Sequence, residues 1–270
     1  MNTQFHWTIS LLISWSLLSC TPETADSNQE KLVPVVEGYL RAGQEPNVKV
    51  YKQIGLESGS EMLTLEGLTL TLNVNGIDYV MIDQSDGEYT AQYVLQAGDN
   101  VKLSFWYEGA EISANTVIPI KPSNFEVSDQ TYRVPNLSGG FDLSSGPPEM
   151  PDPLQLNWDN SDNSYYLVVV ENLESEPEAI VDFGDAEPPA IIFRNDPTTD
   201  DTYELNSFSF SYLGTHRIYL YHVQPDYATL YDDNSNSSQN LQTPQTGISN
   251  GVGIFTGINS DFVEIEVEFE

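Results

Sequence analysis

The chain is short of cysteine, of positive charge and of long apolar runs, and each shortage excludes something. Cys20 is the single cysteine in 270 residues, so an intramolecular disulfide is impossible and any folded part is held by its core alone. Nine Lys plus Arg stand against 41 Asp plus Glu, a formal net charge of −32. Such a field opposes nucleic-acid backbones and anionic surfaces, and no nucleic-acid partner is expected. The excess acid predicts a solvated surface, with calcium or a cationic partner as the sharper reading. The apolar run from Trp7 to Leu18 is broken by Ser10, Ser14 and Ser16. It falls short of the roughly 20 apolar residues that a spanning helix needs.

A run of that size, ending in small residues, fits the h-region and cleavage site of an export signal. Leu17-Leu18-Ser19-Cys20 resembles a bacterial lipobox, in which the thiol is acylated and the chain is cut just before the cysteine. The likeness implies a signal peptide over 1–19 and a lipid anchor at Cys20. Several acyl chains, at about 0.8 kcal/mol per buried CH₂, make such anchoring effectively permanent. Met1 to Thr8 carries no Lys or Arg, a departure from the basic n-region of export signals. Residues 20–30 are polar and without periodicity, and they read as a lipidated tether.

From Lys31 the pattern becomes β. Leu68, Leu70, Leu72 and Val74 alternate with polar residues, and Asn75-Gly76 supplies the left-handed pair of a two-residue hairpin. Turns at Asp86-Gly87 and Glu108-Gly109 frame further strands, including Val101, Leu103, Phe105 and Tyr107 on one face. Residues 31–122 are therefore expected to form an N-terminal antiparallel β-sandwich. One short strand, Asn124 to Ser128, precedes a Pro- and Gly-rich loop over 134–153. Strands resume with "LQLNW", "YYLVVVENL", "AIIFRN", "YELNSFSFSYL", "HRIYLYHV" and "DFVEIEVEFE", making 123–270 a second sandwich. The last run sets Val263, Ile265, Val267 and Phe269 against four glutamates, a pattern predicting one buried and one charged face and protection from edge pairing. A short helix is predicted over Asp226–Asp233, followed by a polar loop from Asn234 to Asn250.

"LQLNWDNSDNSYYLVVV" resembles the B and C strands of a fibronectin type III module, with Trp158 inward and Tyr166 opening the next strand. Leu213, six residues before Tyr219, resembles that module's tyrosine corner. This likeness implies that Tyr219 and Tyr221 face the core, with His216 and His222 on the opposite, tolerant face. The lipobox, "VPVVEGYL", "AEISANTVIP", "SYLGTHRIYLYHV" and "NGVGIFTG" together resemble the Bacteroidota lipoproteins grouped as domain of unknown function 4249. That resemblance implies an outer-membrane lipoprotein, on the periplasmic or cell-surface face, with a TonB-dependent transporter as a partner. It implies no reaction, no cofactor and no site residues.

The residues themselves offer little chemistry. His216 and His222 lie about 20 Å apart along one strand, too far to share an ion. There is no G-x-S-x-G or H-E-x-x-H motif, and no catalytic or metal-ligating residue is assigned. "DNSDNS", from Asp159 to Ser164, lacks the glycine and terminal glutamate of an EF-hand. The loops "NDPTTDD" and "DYATLYDDN" read first as turns and second as loose calcium sites. "NGVGIFTG" reads as a glycine-rich turn into the terminal strand. Aromatics make up 11% of the chain, and tyrosines such as Tyr165, Tyr203, Tyr212, Tyr221 and Tyr227 suit ligand contact where exposed. The functional expectation is a non-enzymatic, lipid-anchored binding or accessory module. The alternative is a surface glycan or peptide hydrolase built on a carboxylate pair.

Overall fold

The computed structural model describes residues 33–52, 63–136, 150–181, 187, 189–232 and 247–270. The expected signal peptide, Cys20, the tether and His6 lie outside them, as does most of the 134–153 loop. The first half carries β1 (Pro34–Arg41), β2 (Asn47–Lys52), β3 (Thr71–Val74), β4 (Ile77–Val80) and β5 (Ile82–Asp83). It continues with β6 (Glu88–Thr90), β7 (Asn100–Tyr107) and β8 (Ala110–Val117). Next come β9 (Glu126–Val127), β10 (Thr131–Val134), β11 (Leu154–Asn157), β12 (Tyr165–Asn172), β13 (Ile192–Arg194) and β14 (Thr202–Leu205). The chain closes with β15 (Gly214–Val223), α1 (Pro225–Asp232), β16 (Ile248–Ser249) and β17 (Val252–Phe269).

The protein is all-β, a packing of sheets rather than a barrel. A nine-stranded sheet runs β13-β12-β15-β17-β1-β2-β6-β5, with β10 also paired to β17. A five-stranded sheet, β16-β8-β7-β3-β4, and a three-stranded sheet, β14-β11-β9, complete the fold. Alternation does what the sequence predicts in the first half. Leu72 and Val74 on β3 meet Val101, Leu103 and Phe105 on β7 in a core that also takes Val36, Leu40, Val48 and Tyr89 from the large sheet. Asn75 (φ 51°) and Gly76 (φ 89°) turn β3 into β4, and Glu108 and Gly109 turn β7 into β8, all in the left-handed region that such hairpins require. A second core joins Val168, Val170, Ile218, Leu220, Ile265 and Val267 of the large sheet to Leu154, Leu156 and Leu205 of the small one. Trp158 is buried in it at 5% exposure.

β17 is the organising element. It pairs in parallel with β1 over Val252–Ile258, antiparallel with β15 over Ile258–Val267, and in parallel with β10 over Glu266–Phe269. Phe255 enters the first core while Ile265 and Val267 enter the second. Residues of the same parity on one strand share a face, so both cores lie on the same side of the large sheet. Residues 117–122 cross that side between them. His222 Nδ1 donates to Ile120 O at 2.9 Å, Asn259 Nδ2 to Pro119 O at 2.9 Å and Gln224 Nε2 to Val117 O at 2.9 Å.

Several expectations need correcting. In "NGVGIFTG" the turn is confined to Asn250-Gly251 and β17 begins at Val252, while the acidic terminal run pairs with β15 as far as Val267 and with β10 from Glu266; its glutamates serve cross-strand pairs, as in Arg217–Glu264 and Arg133–Glu268. Ser207–Ser209 form a 3-10 turn where the alternation predicts strand, because Asn206 Oδ1 accepts from Phe208 N at 2.9 Å and curls the chain. The parity of β15 is the reverse of that predicted. His216, Ile218, Leu220 and His222 are buried towards the second core, whereas Tyr219 and Tyr221 lie on the other face of the sheet. No tyrosine corner forms at Tyr219, whose hydroxyl accepts from Arg217 Nη1 at 3.3 Å. The packing of sheets does not depend on that corner and stands without it.

Candidate functional site

The reversed parity of β15 leaves a concave site on the far face of the large sheet. Residues of β12, β15, β17 and β1 that point away from the two cores line up across the large sheet. Leu167 stands opposite Tyr221, Tyr221 opposite Ser260, Val223 opposite Ile258, and Ile258 opposite Arg41. Both faces of β12 are apolar, because Leu167 and Val169 sit behind Val168 and Val170, and a strand of this kind needs cover on both sides. Leu167, Val223 and Ile258 are buried and form a third apolar cluster with Tyr165, Val169, Tyr221 and Tyr227 around them.

The cover is α1. Pro225 opens the helix, where its fixed φ and missing N–H cost nothing. Asp226 in the first turn ties the helix to the sheet, since the fully buried Thr256 donates its hydroxyl to Asp226 Oδ1 at 3.0 Å. Tyr227 then leans over the sheet. Its ring meets Tyr39 edge-on at 6.2 Å and Tyr231 at 5.7 Å, and its hydroxyl is 3.3 Å from that of Tyr231. The helix covers only part of the apolar face. A cavity of about 350 Å³ remains, bounded by Tyr39, Tyr221 and Tyr227, floored by Leu167, Val223 and Ile258, and reached by Arg41 and Arg194.

The charge state of the walls follows from burial. Tyr39, Tyr221 and Tyr227 all have hydroxyl pKa values pushed upward, chiefly by desolvation, with Glu37 adding to Tyr39 and the Tyr231 hydrogen bond to Tyr227. They are phenols at physiological pH, able to donate a hydrogen bond. The guanidinium of Arg41 acts on Tyr221 and that of Arg194 on Tyr227, each in the opposite, lowering sense. Lys49, Lys121, Arg133 and Arg217 pair with Glu88, Asp261, Glu268 and Glu264. Arg41 and Arg194 form no ion pair with any described residue. In chemical terms the site offers an apolar floor, three aromatic walls with neutral donors, and two fixed positive charges.

A family model described as Domain of unknown function (DUF4249) matches residues 19–262. The chain belongs to this family. No curated protein matches it.

In this DUF4249 chain the residues singled out from sequence fall in several places. Tyr221 and Tyr227 line the cavity. Tyr212 is buried and donates to Pro189 O at 2.6 Å, while Tyr203 packs against the second core. His216 and His222 are buried core residues with pKa values lowered, first by burial. His216 donates from Nδ1 to Gly214 O at 2.9 Å and accepts at Nε2 from the buried Asn172 at 3.2 Å. The "NDPTTDD" segment runs beside β12: Asn195 Oδ1 accepts from Val168 N at 2.7 Å, Thr198 bridges to Tyr166, and Thr198 and Asp200 bond each other. In "DNSDNS", Asn160 Oδ1 accepts from Ser164 N at 2.9 Å. No cluster of three or more His, Cys, Asp or Glu side chains placed to hold a metal ion occurs among the described residues. Tyr39, Arg41 and Arg194 escaped the sequence reading. The unbroken apolar stretch Leu167 to Val170 was the available signal, because it requires a second covered face.

Proposed function

We propose that the protein is a lipid-anchored outer-membrane module that binds a small ligand in the Tyr39–Tyr227 cavity without altering it, as an accessory to a TonB-dependent transporter. The anchor rests on Cys20 at the end of a short apolar run. The binding role rests on the cavity. Its volume falls at the lower end of small-molecule sites, roughly 300 to 1,000 Å³, and its mix of apolar floor and few polar groups is typical of them. The lining offers tyrosines kept protonated and two arginines, which suit recognition rather than nucleophilic attack or proton transfer near neutrality.

Mild crosslinking in intact cells, followed by membrane fractionation and mass spectrometry, tests the reading. The wild-type chain should carry palmitate, sediment with outer membrane and crosslink to a TonB-dependent transporter. Cys20→Ala should lose the label and become soluble. Retention of the label by Cys20→Ala would remove the anchor. A wild-type chain crosslinked only to other classes of protein would remove the transporter.

A further inference from the structure

Building on the cavity as a binding site, we infer that its ligand is a two-ended organic anion: an apolar body with a carboxylate at each end. The chain has nine basic residues against 41 acids, and Arg41 and Arg194 form no ion pair with any described residue. Both arginines in that state among the described residues line the same cavity. The other two, Arg133 and Arg217, are paired.

Their placement matters as much as their charge. Arg194 lies on β13 opposite Val169, and Arg41 lies on β1 opposite Ile258. The sheet order β13-β12-β15-β17-β1 separates the two strands by four spacings, about 19 Å between backbones at about 4.8 Å each. From opposite ends of that span the two guanidinium groups can each take one end of an elongated ligand. Between them lie the buried Leu167, Val223 and Ile258, a surface that rewards an apolar body. The tyrosine hydroxyls add donors, and arginine matches carboxylate geometry through its paired N–H groups.

The opposing charges set the size of the effect. Glu37 and Glu171 act on Tyr39 and Tyr221 and weaken the attraction for an anion. The net charge of −32 repels it from afar, but screening over about 8 Å at physiological salt confines that repulsion to near neighbours. Both arginines are exposed, so each contributes on the scale of a surface ion pair, at most about fivefold in affinity.

The test is equilibrium dialysis of the lipidated chain in nanodiscs against octanedioate, octanoate and dimethyl octanedioate, with empty nanodiscs subtracted. The diacid should bind about fivefold tighter than the monoacid, and the neutral diester weakest of the three. Arg41→Met and Arg194→Met should each reduce the diacid to the level of the monoacid while melting as the wild type does. Equal binding of diacid and diester, or a diacid preference that survives both substitutions, would overturn the two-ended anion and leave a general apolar pocket. Failure of all three probes to bind would remove the cavity as a binding site and the inference with it.

Discussion

Replacing His222 by alanine should destabilise the protein strongly, and the structure supplies the terms. The ring is 7% exposed and stacks on Tyr166 with centroids 4.8 Å apart at 29°. Losing an aromatic contact of that kind costs about 0.5 to 1.5 kcal/mol. Its Nδ1–H is bonded to Ile120 O at 2.9 Å, and removing the donor costs about 1 to 3 kcal/mol when the carbonyl is left without a partner. Together these give about 2 to 4 kcal/mol, or roughly 5 to 15 °C in melting temperature for a domain of this size. Tyr219→Phe removes only a 3.3 Å hydroxyl contact to Arg217 on the other face of the sheet, so it should cost under about 0.5 kcal/mol. Urea and thermal melts of the two variants read the difference directly. A Tyr219→Phe variant less stable than His222→Ala would mean that β15 presents its odd residues to the core, and the cavity face would dissolve with that result.

Three further outcomes follow from the same cores. His216 and His222 have pKa values lowered by burial, so the unfolded chain takes up their protons first; stability should be full above about pH 6.5 and fall below it, by up to about 1.4 kcal/mol per pH unit for each. Urea titrations at pH 7.5 and 5.5 should show a smaller loss in a His216→Gln, His222→Gln double variant, and equal losses would refute the buried neutral state. Gly253 has φ +112°, and a Cβ there would sit 2.1 Å from Val36 O; Gly253→Ala should cost at least about 3 kcal/mol from strain and clash, and an unchanged melting temperature would rule out the parallel β1–β17 pairing. Trp158 Nε1 is buried with no partner among the described residues, so Trp158→Phe should stay within about 1 kcal/mol of wild type while Trp158→Ala loses about 3 to 5 kcal/mol. Equal losses in the two variants would show that the indole N–H is satisfied after all.

Legibility differed by element for physical reasons. The Asn75-Gly76 and Glu108-Gly109 hairpins were readable because few residues tolerate positive φ, and their flanking strands have one polar face. Trp158 was readable as core, and the helix at Pro225–Asp232 lies within one residue of its predicted ends. β15 misled because "HRIYLYHV" is amphipathic in neither parity: aromatics occupy one face, and aliphatics with two histidines the other. The tyrosine spacing then favoured the wrong choice. β10 has only four residues and gains its stability from pairing with β17, which local sequence does not encode. Gly253 and Gly257 suggested a turn, yet they serve close approach: a Cβ on Gly257 would lie 2.2 Å from Val117 O. Arg41 and Arg194 are distant in the chain and meet only through the strand order of the large sheet, so periodicity could not join them.

The reach of β17 also bears on when the protein can fold. β1, among the first strands to emerge, takes its partner from Val252–Ile258, and β8 takes β16 as its neighbour. The second core likewise waits for Ile265 and Val267. During synthesis, neither core can close until the residues of β17 have emerged. Pairing of the two ends makes folding slow, and strand edges stand open in the meantime. The dense negative charge holds the waiting chains apart in that interval. A chain cut short after Asn250 would lack the strand on which both cores close, and would have no folded state to reach.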